Sequence, residues 1–201
     1  MADAAGAAAA EQREYGMDVR LRRLGPEDAP GLWRLQKALD AQTSFMMYEP
    51  DERPDDPGAT AEQIERTDFV VGAEVGGCLV GYLSAERGAY RRVRHVAYVV
   101  IGILADHRHQ GIGRACFREL DDWAAGAGVH RLELTVQATN TAAIGLYRKA
   151  GFAVEGVRRD AMLVDGVLVD ELSMAKIVGG RHGRDRPTAT RSRTDGAHGE
   201  R

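Results

Sequence analysis

Long apolar runs are missing from this 201-residue chain, and with them any stretch of the roughly 20 residues that a membrane-spanning helix requires. Cysteine is scarce. The two present, Cys78 and Cys116, are too few for a disulfide framework and read as reduced, buried small hydrophobes. No sign of charge prevails: 27 Lys and Arg stand against 30 Asp and Glu, a formal net charge of −3. That balance gives no reason to expect a nucleic-acid or membrane-surface partner. The six histidines show no zinc-like ligand spacing, so no metal is expected. The N-terminus lacks a basic segment followed by a bulky apolar one, which points away from a secretory leader and towards the cytoplasm.

What is present is 44% hydrophobic and 28% charged, the profile of a globular domain of ordinary size. Residues 1–16 are alanine-rich and residues 179–201 nearly devoid of apolar side chains. Both are expected to be disordered, the second as a basic tail, because neither can repay the entropy of ordering. One domain, 17–178, covers the rest. Its periodicity predicts the order β-α-α-β-β-β-α-β-α-β-β. Residues 17–24 alternate as a strand. Pro26-Glu27-Asp28 opens a helix carrying Leu32, Leu35 and Leu39 on one face, and Ala59 to Thr67 forms a short second one. The polar loop between them holds Pro50, Pro54 and Pro57 and is not expected to be regular. Gly76-Gly77 and Asp165-Gly166 mark hairpin turns. Thr141 to Lys149 reads as a helix closed by Gly151.

The most informative segment is 103–116. A strand ends at Ile103-Leu104, a polar turn follows, and Gly111-Ile112-Gly113 opens a helix. The first amides of a helix lack internal acceptors and, with the helix dipole, form an anion site. Glycine at 111 and 113 removes side chains that would hold a phosphate off the backbone. Arg108 adds a charged donor. No P-loop run GxxxxGK(S/T) occurs. A dinucleotide fingerprint would need its third glycine at Cys116, and three strands in hairpin order precede the turn, against the βαβ expectation.

These residues resemble the GCN5-related N-acetyltransferases (GNAT). Arg108, Gly111 and Gly113 fit the family's R/Q-x-x-G-x-G/A turn after a long strand, and Asn140 to Phe152 fits N-x-x-A-x-x-L-Y-x-x-x-G-F. The block Val154 to Met174 is similar to bacterial acetyltransferases of small amines and amino acids. The resemblance implies an α/β (α+β) fold: a mixed, mostly antiparallel central sheet of about seven strands, splayed in the middle and flanked by about four helices. It implies acetyl-CoA as co-substrate. Backbone groups of Ile101, Gly102 and Ile103 pair with the pantetheine arm as a strand would, Gly102 marks a bulge, and an amide near Ile103 polarises the acetyl carbonyl. Arg108, His109, Gln110, Gly111, Ile112, Gly113 and Arg114 hold the pyrophosphate. Asn140 hydrogen-bonds the pantetheine, caps the following helix, or does both. Tyr147 is the general acid that protonates the leaving thiolate. A homodimer is a family-level expectation.

The general base is where the match thins. Relatives place a glutamate at positions that correspond to Thr135 or Ala97, neither of which is a base. Glu133, on the same strand face as Thr135, is the fallback, with His95, Tyr98 and a water chain as others. In the long loop, Tyr48 and Glu49 are substrate candidates: Phe45 to Tyr48 offer an apolar wall, and Glu49, Asp51 and Glu52 attract an ammonium, unless the loop is simply solvated. The expected acceptor is a small primary amine or amino acid. Protein N-termini or lysines, and a non-catalytic acyl-CoA sensor, are the alternatives.

Overall fold

The computed structural model describes residues 13–15 and 19–179. Among them the chain forms β1 (Arg13–Tyr15), β2 (Val19–Arg23), α1 (Ala29–Gln42), α2 (Pro57–Arg66), β3 (Phe69–Val75) and β4 (Cys78–Arg87). There follow β5 (Val96–Ile103), α3 (Ile112–Ala127), β6 (Arg131–Gln137), α4 (Thr141–Lys149), β7 (Ala153–Val164) and β8 (Val167–Ile177). One sheet holds all the strands in the order β1-β2-β3-β4-β5-β6-β8-β7.

Every neighbouring pair is antiparallel except β5 and β6, which run parallel. That pair touches only at its start, Val96–Tyr98 against Arg131–Glu133. Beyond it, β5 runs on to Ile103 paired only with β4, and β6 to Gln137 paired only with β8. The sheet therefore splits into two halves, and the edge of β5 from Val99 to Ile103 faces a gap. Backbone N–H and C=O groups on such an edge need partners, so the gap is a place for an extended ligand.

Strand alternation sends residues to two faces. One bears α3 and α4 over the larger core, where Leu83, Ala97, Val99, Leu132, Leu134 and Met174 meet Ile112, Cys116, Phe117 and Leu120. Lys176 of β8 also reaches Asp121 of α3 at 2.6 Å. The other bears α1 and α2, where Leu32, Leu35 and Leu39 pack with Ile64, Val70 and Tyr82. Over β6, β8 and β7 this second face carries no helix among the described residues.

Local chemistry explains the boundaries. Pro26–Asp28 forms a 3-10 turn rather than the first turn of α1, with Asp28 held by Arg22 at 2.7 Å. α2 begins at Pro57, two residues before the expected Ala59, because the Asp56 side chain accepts from Gly58 N at 2.8 Å and caps it. Gly76 and Gly77 (φ 56° and 80°) and Asp165 and Gly166 (φ 50° and 75°) take the left-handed conformations that two-residue hairpins require. Two expectations need correction. Arg13–Tyr15, placed in a stretch expected to lack structure, pairs with β2 and covers its edge; the remainder of the terminal extensions lies outside the described residues. Gly102 is no bulge, since the β4–β5 register runs unbroken through Tyr82↔Gly102. A Cβ there would sit 2.6 Å from Leu39 Cδ1, so the glycine lets α1 settle onto the strand.

Leu120 is fully buried (0% exposed) between α3 and the sheet. Leu120→Ala is expected to cost about 2–5 kcal/mol. Urea unfolding should show a lower midpoint at unchanged slope; an unchanged midpoint contradicts this packing.

Candidate active site

The gap between β5 and β6 ends at the turn that leads into α3. Gly111 caps α3 with φ 84°, a left-handed value that an L side chain resists, and a Cβ there would meet nothing within 4 Å. The helix ladder starts with Ala115 N to Gly111 O at 3.0 Å, so the amides of Ile112, Gly113 and Arg114 have no acceptor within the helix. Arg108 donates Nε to Ile103 O at 3.1 Å, which fixes the guanidinium at the strand's end while its terminal nitrogens are left for an anion. Gln110 Nε2 bonds Asp106 O at 3.0 Å, and His109 takes φ 63° in the exposed turn. The structure thus brings Ile101 to Ile103 and Arg108 to Arg114 together as one continuous lining. Gly113 also has a packing reason for being glycine. A Cβ there would lie 2.8 Å from Leu146 Cδ2, so this glycine lets α4 press against the start of α3.

That contact also positions the next residue, Tyr147. Its ring lies among Phe117 and Phe152 with centroids 5.9 and 6.1 Å away, and the residue is only 8% exposed. Burial pushes its phenol pKa well above the ordinary tyrosine value, with the Tyr98 and Tyr82 hydroxyls adding to the shift. Tyr147 is accordingly a neutral phenol, a proton donor rather than a base. Asn140 caps α4: its Oδ1 accepts from Ala143 N at 3.1 Å. The cap uses only the oxygen, so the side-chain amide N–H groups are free for a second role.

The other candidates divide. Glu133 shares a strand face with Thr135, as expected, but Arg131 Nε grips its carboxylate at 2.8 Å and Arg131 also reaches Glu155. Ala97 is buried in the core. Thr135 Oγ1 meets Tyr98 Oη at 2.9 Å, a hydroxyl bridge across the gap just where β5 and β6 part. His95 lies before β5, where its carbonyl accepts from His130 N and Arg131 N. Tyr48 is stacked beneath the Arg53 guanidinium, 4.4 Å from the ring centroid. Glu49 is exposed and its amide donates to Glu52 Oε2, so Glu52 shapes the turn.

The loop itself is anchored more firmly than its composition suggests. Arg53 pairs with the fully buried Asp40 and donates to Gln36 Oε1 at 3.0 Å. Gln137 of β6 reaches Ser44 O at 2.6 Å from the other side. The loop thus bridges the two halves of the split sheet. Sequence reasoning missed this, and it missed Glu171, a buried carboxylate on β8 paired with Arg158 of β7 at 2.6 Å. Finding them requires the registers of β6, β8 and β7, which spacing alone does not reveal.

The cysteines differ from each other. Cys116 is buried and its thiol is pushed up to about 12, so it holds no thiolate near neutrality. Cys78 is exposed, against the expectation that both are buried, because it opens β4 at the tip of a hairpin. It lines a cavity of about 410 Å³ with Arg22, Arg34 and Leu104, away from Tyr147 and Asn140. Among the described residues no group of three His, Cys, Asp or Glu side chains is arranged to hold a metal. None of the described helices is long and apolar enough to cross a membrane.

An open strand edge running into an exposed left-handed helix cap fits an extended ligand with a phosphorylated end. Comparison with known proteins gives that ligand a family context. The chain is 40% identical over 96 residues to the N-alpha-acetyltransferase RimI of Mycobacterium tuberculosis, covering 48% of this chain and 59% of that one. It is 34% identical over 107 residues to the L-amino acid N-acetyltransferase AaaT of Escherichia coli, covering 51% and 64%. The chain therefore spans about three fifths of the length of these curated relatives. The crystal structure of a GNAT-family acetyltransferase from Streptococcus pneumoniae superposes with a TM-score of 0.76 at 26% identity, over 80% of this chain and 99% of that one. The model of the acetyltransferase (GNAT) family matches residues 35–152, more than half of the sequence. With the split sheet, the helix-cap turn and the tyrosine beside it, the match means that this chain belongs to the GNAT acetyltransferase family.

Proposed function

We propose that the protein is an acetyl-CoA-dependent N-acetyltransferase that moves the acetyl group directly to a primary amine of a small molecule or amino acid, in the cytoplasm. The observation that carries this reading is the unpaired edge of β5, Val99 to Ile103, which leads through a 3-10 turn, Ala105–His107, to Gly111 and shares its core with Tyr147. Acetyl-CoA supplies an activated thioester. The chain's own groups do the rest. Ile101 to Ile103 take up the pantetheine arm as an added strand, and the Arg108–Arg114 turn takes the pyrophosphate on its free amides. Asn140 offers its side-chain N–H to the same arm while its oxygen caps α4.

The amine nitrogen attacks the carbonyl carbon, the C–N bond forms, the C–S bond breaks, and the sulfur receives the Tyr147 phenol proton; the nitrogen sheds its surplus proton as the amide forms, and that proton returns through water to the phenolate and restores the phenol. The raised pKa of Tyr147 suits this timing. A low-dielectric setting destabilises phenolate and thiolate alike, so the proton stays on oxygen until anionic charge develops on sulfur. The incoming ammonium gives up its proton to water reaching the Tyr98–Thr135 bridge, beside Glu133, whose carboxylate Arg131 engages. No acetyl-enzyme is needed, in keeping with the inert thiol of Cys116.

A second reading, transfer to the N-terminus of a protein, is favoured by the 40% identity to the M. tuberculosis relative. A panel of amines, amino acids and peptides, followed by release of CoA thiol, tests both. Absence of acetyl-CoA binding overturns the reading; binding without turnover on any acceptor makes the protein a sensor.

Tyr147→Phe is expected to lower kcat about 10²- to 10⁴-fold, the usual range for general acid catalysis, with acetyl-CoA affinity intact. An unchanged kcat removes the proton-donor role. Because burial raises the phenol pKa, Tyr147 stays protonated to above the ordinary value of about 10. The wild-type pH–rate profile should then show no loss of kcat on the alkaline side below that point, and a falling limb near pH 8 contradicts the assignment. Arg108→Ala should weaken acetyl-CoA binding about 10-fold, within the range for hydrogen bonds to charged groups, as read by calorimetry. Cys116→Ala should retain turnover, measured by thiol release; its loss in a variant that still folds points instead to a covalent intermediate.

A further inference from the structure

The second face of the sheet is bare of helices over β6, β8 and β7, yet it is not a random polar surface. Cross-strand partners place side chains on one face, and the registers align Gln137↔Glu171↔Arg158 and, two residues along, Thr135↔Ser173↔Gly156. Both rows lie on the face to which Tyr98 projects, since its hydroxyl meets Thr135. Gln137 binds the acceptor loop through Ser44 O. The floor beside the gap is therefore a hydroxyl-lined patch, closed by the loop on one side and by an ion pair on the other.

That ion pair is lopsided. Glu171 is 4% exposed, while the Arg158 side chain is half in solvent. A carboxylate is expensive to bury unless a cation satisfies it, so Glu171 fixes the Arg158 guanidinium over β8. The 2.6 Å bond uses Nη1 alone. A guanidinium has five N–H donors in a planar fork, and those left over present the geometry that binds a carboxylate through two parallel bonds. Folded back onto β8, the guanidinium stands about one strand spacing, roughly 5 Å, from β6 and the hydroxyls beside the gap. A ligand that joins the two must carry its anionic group next to its amine. An α-amino acid does so, with one carbon between them.

We propose that Arg158, held by Glu171, is a carboxylate-recognition subsite, and that the acceptor it selects is a free α-amino acid acetylated on its α-amine. The assignment rests on the N-acetyltransferase reading and narrows its acceptor class. It separates free amino acids from peptide N-termini, whose α-carbon bears an amide in place of a carboxylate, and from plain amines.

The test uses the full chain. Acetyl-CoA binding is read by calorimetry, and thiol release is then followed with the common L-amino acids, their α-amides and a tetrapeptide with a free N-terminus. For the best amino acid, kcat/KM is expected to exceed that of its amide about 10- to 100-fold, the range for a hydrogen-bonded charged group. Arg158→Gln should remove this preference through a rise in KM for the acid, and Arg158→Lys should recover part of it. Amide or peptide turned over as well as the acid overturns the subsite while leaving the acetyltransferase reading intact. So does an Arg158→Gln effect confined to kcat. Failure to bind acetyl-CoA overturns both. If Arg158→Gln proves unstable, the wild-type comparison of acid with amide decides alone.

Discussion

Three residue pairs of parallel strand, Val96–Tyr98 with Arg131–Glu133, form the ladder that joins the two halves of this sheet among the described residues. They suffice because each half is complete in itself: β5 is paired along its length with β4, and β6 with β8. Backbone groups inside a sheet are nearly always satisfied, so two strands that part company leave a line of donors and acceptors that the protein does not use. Holding that line open requires α3 and α4 to be braced from below. Gly113 against Leu146 is the brace, and it packs the start of α3 against the helix that carries Tyr147.

Under the proposed function, the donor side and the acceptor side are built on different physics. The donor side is backbone: a strand edge, a helix cap and a left-handed glycine, all dictated by local conformation and by the larger apolar core. The acceptor side is side chains: a loop tied by Arg53 to Asp40 and by Gln137 to Ser44, and a polar face lined by Thr135, Ser173 and Glu171. Backbone recognition tolerates sequence change, whereas side-chain recognition alters with single substitutions. The same frame can therefore keep one donor and exchange acceptors.

This difference also governs what the sequence discloses. Helix α4 has the boundaries that its periodicity predicts, and Gly111 is legible because a polar turn before a helix has few other uses for glycine. The two rigid hairpins announce themselves through Gly76-Gly77 and Asp165-Gly166. Gly113 and Gly102 are visible as glycines, but the packing that requires them is not, since the atoms on Leu146 and Leu39 are distant in the chain. Glu133 has the right residue type on the right face, and its partner Arg131 lies two residues away on the same strand, but the further contact of Arg131 with Glu155 of β7 depends on strand order. The Arg158–Glu171 pair is hidden for the same reason. Sequence spacing predicts neighbours along one element well and says little about register between elements.

The anchor of the acceptor loop has a consequence for how such a chain varies over time. Asp40 has no exposed side-chain surface, and Arg53 is its counter-ion. Losing either partner alone strands a charge in the interior, which is far more damaging than never having had the pair. Positions 40 and 53 are thus bound to change together, as a pair of charges or a pair of apolar residues. Between them the pair fixes no residue but Tyr48, whose ring lies under Arg53, so the loop resembles a tool whose shank is fixed and whose bit is interchangeable.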